Sequence, residues 1–298
     1  MDQLTSILVV IEQGDDARYV VEKAMTLARY CHASVELFLC DSGQARSVPH
    51  SSDPTGVDAA RRQCVARGRS YLNSIARPLA QDVPISTHVV CESLLHEAVV
   101  DRVLENGADL VMKSPAGQHP LKRLTLDAND WQLARTCPVP LMLTRHRRWN
   151  AEARFAAAVD VSKPAGAELA RSIVDTAGYL ALCCSAQLDV VFSDSGEDDA
   201  AAHAERAEAL TRLVHEYRIG GEHQHVLRGV AKNTLPTFAT QLGCDVLVLG
   251  ALTRRSSLAA LLGTLTSALV DALECDFVLV KSESDAWPMA QSTHTAVG

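Results

Sequence analysis

The chain has 298 residues, 47% of them apolar and 21% charged, which suits a folded protein and excludes a disordered or collagen-like chain. Lys and Arg number 28 against 36 Asp and Glu, so the formal charge is −8, and phosphate backbones attract the opposite kind of surface; no direct nucleic-acid partner is expected. No apolar run reaches the ~18–20 residues of a membrane helix, and the start Met1-Asp2-Gln3-Leu4-Thr5-Ser6 lacks the positive region of a signal peptide, so a cytoplasmic protein without a membrane span is expected. In chain order, apolar runs predict strands at Ser6–Ile11, Ser34–Cys40, Ile85–Val90, Leu110–Met112 and Leu141–Thr144, with helices between them. A charged connector, Arg145-His-Arg-Arg-Trp-Asn150, follows. Then come a strand Phe155–Val159, a helix Ala165–Ser185, a strand Gln187–Phe192, a polar loop Ser193–Asp199 and a helix Ala200–Tyr217. Strand Glu222–Leu227, helix Leu235–Leu242, strand Val246–Leu249, a helix near Thr264–Leu273 and strand Phe277–Lys281 complete the series. The tail, 285–298, has no periodicity and is expected to fray.

The series is one plan written twice. Ile7-Leu-Val-Val-Ile-Glu12 is matched by Phe155-Ala-Ala-Ala-Val-Asp160, each an apolar run closed by an acid. Ala108-Asp-Leu-Val-Met112 is matched by Cys244-Asp-Val-Leu-Val248, and Leu133–Leu143 by Asp271–Lys281, in the same order. Two copies of a ~140-residue domain follow, at 1–146 and 151–284, a size well inside the single-domain range. Alternating strands and helices with short connections imply an α/β fold, in which doubly wound parallel sheets are covered by helices on both faces.

In such sheets ligands bind beyond the carboxyl ends of the strands, where the strand order reverses. In the second copy Asp160 ends the first strand, Gly229 follows the third, and Gly250 opens a loop running to Gly263-Thr264 before a helix. Glycine lets backbone approach a ligand, and a helix N-terminus favours an anion. The same glycines would equally serve to shape a loop and cap a helix, and the residues alone leave both readings open.

The run Val246–Thr264, followed by Leu269–Val280, resembles the last third of a universal stress protein domain, which carries G-x2-G-x9-G-(S/T) after its fourth strand and an Asp closing its first. Together the halves resemble the tandem, UspE-type branch of that family, with Leu110-Val-Met-Lys113 and Asp130–Pro138 as its degenerate first domain. The resemblance covers residues 4–283. It implies a five-stranded parallel sheet per domain and a stress-response role. It implies Asp160 against adenine, Gly229 and Val230 beside ribose, and Gly250, Gly263, Thr264 and Leu265 at phosphate, so ATP or AMP is the implied cofactor of the second domain. Thr253 stands where the motif has its second glycine, and a β-branched residue resists positive φ, which weakens that cradle. Arg254 and Arg255 beside it are either phosphate partners or a solvated pair. The first copy departs further. Glu12 replaces the Asp, Ser114 and Thr125 replace the two glycines, and its loop is two residues shorter between Asp109 and Cys137 than between Asp245 and Cys275. No nucleotide is expected there.

Other constellations point to less. His223 and His225 alternate on a predicted strand, and His88, Cys91, His96 and His119 fall near strand ends of the first copy, but neither set has zinc-motif spacing, and no metal is expected. The nine cysteines are odd in number, form no C-x-x-C, and mostly sit in apolar segments, as buried free thiols do. There is no G-x-S-x-G elbow and no P-loop. The expected function is therefore a non-enzymatic binding protein with a nucleotide-like ligand in the second domain and no catalytic residues. The alternatives are a slow ATPase, or a pocket for an acylated or sugar nucleotide, motivated by Thr253 and the apolar run Leu258–Leu262. Single-domain members of the family pair through their fifth strands. The resemblance thus implies an intramolecular pseudo-dimer with Pro140–Thr144 antiparallel to Phe277–Lys281, and leaves homodimerisation open.

Overall fold

The computed structural model describes residues 3–12, 17–41, 54–91, 94–115, 126–196, 200–251 and 268–282. The front half runs β1 (Ser6–Ile11), α1 (Arg18–Cys31), β2 (Ser34–Cys40), α2 (Pro54–Ala76), β3 (Ile85–Val90), α3 (Leu95–Asn106), β4 (Leu110–Lys113), α4 (Ala128–Thr136) and β5 (Leu141–Leu143). The back half runs β6 (Arg154–Val159), α5 (Ala167–Cys183), β7 (Gln187–Asp194), α6 (Ala200–Glu216), β8 (Gln224–Arg228), α7 (Ala231–Leu242), β9 (Val246–Gly250), a helical turn at 268–272 and β10 (Asp276–Val280). Each half is a five-stranded parallel sheet, and the two join into one ten-stranded sheet of order β3-β2-β1-β4-β5-β10-β9-β6-β7-β8. The join is the single antiparallel pair among these strands: Phe277 faces Leu143, Val278 faces Met142 and Leu279 faces Leu141.

Burial explains the sequence pattern. The inner strands β9 and β10 are buried at every position and read as continuous apolar runs, whereas the outermost strands β3 and β8 are only half-covered and carry Ser86, His88, Gln224 and Arg228. Side chains alternate across the sheet. Ile7, Val9 and Ile11 pack on one face with Val20, Ala24 and Leu27 of α1 and Ile173, Val174 and Leu180 of α5. Leu8 and Val10 pack on the other with Val99 of α3, Leu133 of α4, Ala239 of α7 and Leu269. Both cores run through the join without a break. Each fully buried Leu, Ile or Phe side chain in them contributes about 1.5–3 kcal/mol.

The repeated Gly-x-Asp stretches are helix stops. Gly107 and Gly243 close α3 and α7 in the left-handed region, at φ 68° and 67°. Two residues on, Asp109 and Asp245 tie down the start of each half's first strand. Asp109 accepts the Thr5 amide and hydroxyl, both at 2.7 Å, and the Ser6 amide at 3.0 Å. Asp245 accepts the Arg154 and Asn150 amides, both at 3.1 Å.

Four elements differ from the sequence reading by two residues or more at a boundary. β7 continues to Asp194, because Ser193 and Asp194 pair with Leu227 and Arg228 of β8. α7 begins at Ala231 rather than Leu235, and Pro236 lies inside it, where proline reads more readily as a helix start. α5 spans Ala167–Cys183 behind a 3-10 turn, Pro164–Gly166, and not Ala165–Ser185. Glu222 and His223 belong to a 3-10 turn before β8, so His223 is not a strand residue.

Candidate functional site

In the back half the strand order reverses between β9 and β6, and their carboxyl ends lie side by side. Asp160 leaves β6 there. Its side chain is exposed, and its Oδ1 accepts the Ser162 amide at 2.9 Å and the Ser162 hydroxyl at 2.5 Å. The carboxylate is thereby aimed and kept at the solvent edge. Gly250 ends β9 and is buried beside α5. A Cβ there would stand 2.8 Å from Leu169 Cδ2 of α5. Gly229 follows β8 at φ +119°, a conformation that side chains rarely adopt, and its amide donates to the Asp194 carbonyl at 2.9 Å. Val230 next to it is 52% exposed. Thr253, Arg254, Arg255, Gly263, Thr264 and Leu265 lie outside the described residues.

The same edge carries a charged cluster that sequence reasoning missed. Asp194, buried at the end of β7, accepts His203 Nδ1 at 2.6 Å and the Gly196 amide at 3.2 Å, and forms an ion pair with Arg206 at 3.0 Å. Burial alone would raise its pKa, but the hydrogen bonds from His203, the Gly196 amide and Arg206 outweigh burial and hold the carboxyl below its usual range. The signal was faint: Asp194 sits in a stretch of serine and acids that reads as loop, and its partners lie one helix away.

The front half closes the equivalent edge with its own charges. Lys113, at the end of β4, occupies the position of Leu249 and is fully buried. Its ammonium donates to Asp130 Oδ1 at 2.7 Å and to the Ser114 carbonyl at 3.0 Å, and pairs with Glu12, the counterpart of Asp160. Burial would lower the Lys113 pKa, yet the two carboxylates outweigh it and keep the ammonium charged. Asp130 also completes a capping box. Its amide donates to Asp127 Oδ1 at 2.8 Å, and its Oδ2 accepts the Asp127 amide at 3.1 Å. Two of the amides at the start of α4, where an anion would sit, are thus taken by the chain's own carboxylates.

The histidine sets behave differently from each other. His223 and His225 do converge, though from a turn and a strand: both reach Asp189 Oδ1, at 3.3 and 2.8 Å. His88 stacks on Phe38 with ring centroids 5.9 Å apart, and burial lowers its pKa. His119 lies outside the described residues. Among the described residues no group of three or more His, Cys, Asp or Glu is arranged to hold a metal ion, and no helix is long and apolar enough to cross a membrane.

Two parallel five-stranded plans, joined edge to edge in one sheet and each reversing its strand order once, define a duplicated α/β fold. The family profile of the universal stress proteins matches this chain twice, over residues 4–145 and 157–281, and the chain belongs to the universal stress protein family. It is of the tandem, UspE type. Universal stress protein E of Escherichia coli K12 is 22% identical over 97% of this chain and 98% of its own length. The Haemophilus influenzae homologue of that protein is 25% identical over 93% and 97%. Among solved structures, a protein of unknown function from Pseudomonas aeruginosa PAO1 superposes with a TM-score of 0.76 at 24% identity, covering 95% of this chain and 94% of its own. A universal stress protein from Archaeoglobus fulgidus gives 0.70 at 13% identity, covering 93% and 98%.

Proposed function

We propose that this stress-response protein is a non-enzymatic binding protein that takes one adenine nucleotide, ATP or AMP, per chain, in its back half. The chain divides on this reading into an inactive domain at 1–146, a binding domain at 151–284 and a tail at 285–298. Asp160 meets the base, Gly229 and Val230 flank the sugar, and Gly250, Thr253, Arg254, Gly263, Thr264 and Leu265 serve the phosphates. The observation that carries the reading is the asymmetry of the two ligand edges. The back half leaves an aimed, exposed carboxylate at its order reversal, whereas the front half fills the same place with Lys113 between Glu12 and Asp130.

Titration calorimetry on the full chain tests it. One ATP or AMP is expected per chain, with affinity falling tenfold or more in Asp160→Ala and unchanged in Glu12→Ala. Ligand at 100 times its Kd should stabilise the fold by about 2.7 kcal/mol. Two nucleotides per chain, or no thermal shift with millimolar ATP, would overturn the proposal. Phosphate release abolished by Gly263→Trp would make the protein an ATPase instead, and a co-purifying acylated or sugar nucleotide in native mass spectra would replace the ligand.

A further inference from the structure

Six of the nine cysteines fall into three pairs whose thiols influence one another's titration: Cys31 with Cys183, Cys64 with Cys91, and Cys244 with Cys275. The last two pairs each lie inside one half and are sealed, with exposures of 1%, 8%, 4% and 4% in that order. The first pair differs in two ways. It brings the last residue of α1 against the last residue of α5, so it bridges the two halves where these helices pack together. Its members are only half-buried, as is Cys184 beside them, and these three are the cysteines within reach of solvent. The Tyr179 hydroxyl stands among them, accepting the Leu4 amide at 3.0 Å and contacting both Cys31 and Cys183, which fixes the end of α5 against the start of the chain.

We infer that Cys31 and Cys183 form an oxidative modification site, at which a hydroperoxide converts the thiol pair to a disulfide that staples the front half to the back half. In the first step a thiolate of the pair attacks the peroxide O–O bond. Sulfur takes one hydroxyl, and the other leaves as hydroxide and collects the proton the thiol released, giving a sulfenic acid and water. The second thiol's sulfur then displaces the sulfenic hydroxyl. The S–S bond forms, the S–O bond breaks, and hydroxide leaves with the second thiol's proton as water. Two thiols lose two hydrogens, and one hydrogen peroxide becomes two waters. Burial and the Cys183 contact push Cys31 up to about 12, so thiolate is scarce at neutral pH and the pair oxidises slowly, under sustained rather than brief exposure. The closed loop takes in more than half of the chain, and closures of that length remove the most freedom from the unfolded state.

The test treats the folded, full-length protein with hydrogen peroxide and then reads intact mass, blocked thiols and cross-linked peptides. Expected is the loss of two hydrogens, a Cys31–Cys183 cross-link reversed by dithiothreitol, and a melting midpoint several degrees above that of the reduced chain. Cys184→Ser should keep the cross-link, and Cys31→Ser and Cys183→Ala should each lose it. A first cross-link at Cys64–Cys91 or Cys244–Cys275, one through Cys184, or Cys31 passing to sulfinic acid without any cross-link would overturn the assignment. Nucleotide titration plays no part in these readouts, so they stand or fall apart from the proposed binding function.

Discussion

Lys113 is the residue on which the difference between the two halves turns. Removing one partner of a buried ion pair leaves an uncompensated charge and costs about 3–5 kcal/mol. Lys113→Met should therefore lose about that much in urea unfolding, with Glu12 and Asp130 left facing each other. Copying the back half's neutral arrangement, in which Leu249 and Ala268 stand at the positions of Lys113 and Asp130, offers the control. Lys113→Leu combined with Asp130→Ala and Glu12→Gln should recover most of the loss, since replacing a whole buried ion set by apolar groups is often neutral. Asp194 makes a prediction about pH. Its folded pKa is lowered, so its contribution is complete above the unfolded value and drains away as pH falls through the folded one. Asp194→Asn should be less stable than the parent at neutral pH, and urea midpoints should show the gap closing below the usual carboxylate range. Neither cluster was legible in the sequence. Lys113 ends a run that reads as strand, and Asp130 was visible only as part of a family-like stretch. What joins them to Glu12 is a sheet pairing over a hundred residues apart in the chain.

At the scale of elements much more could be read. The inner strands were visible because burial on both faces leaves an unbroken apolar run, and the repeat was visible because the same helix stop and strand start occur twice. Gly107 and Gly243 are those stops, and alanine at a left-handed position costs about 1 kcal/mol. Gly107→Ala and Gly243→Ala should each lose that amount, and the double variant should lose their sum in denaturant unfolding, because the sites lie far apart. Boundaries were less legible where a local rule pointed the wrong way. The helix read from Leu235 starts four residues earlier, at Ala231, and Ser193-Asp194 looked like loop although β8 gives it a strand partner. Gly250 was legible as the glycine that closes β9, and its contact with Leu169 of α5 was not.

The whole molecule is held by more than three residues of antiparallel strand. Asp276 of β10 accepts Lys23 of α1 at 2.7 Å, the Trp149 indole at 2.7 Å and the Arg145 amide at 2.7 Å. The connector is thus bolted between the halves it links. Each half also caps a helix of the other or of the connector's neighbour. Lys281 donates to the Arg135 and Cys137 carbonyls at the end of α4, and Arg145 to those of Val270 and Leu273. Asp276→Ala would leave Lys23 buried without its partner, so a loss of about 3–5 kcal/mol is expected. Calorimetry should then show the single transition of the parent separating into two as the halves uncouple. The antiparallel join has a further consequence. Two separate modules meeting through β5 and β10 would be governed by concentration, and dilution would part them. Here the covalent link abolishes that dependence, and each joining surface has to suit one fixed counterpart instead of a copy of itself. That freedom from self-matching is what lets one module seat a lysine between two carboxylates while its sibling carries a leucine at the same place.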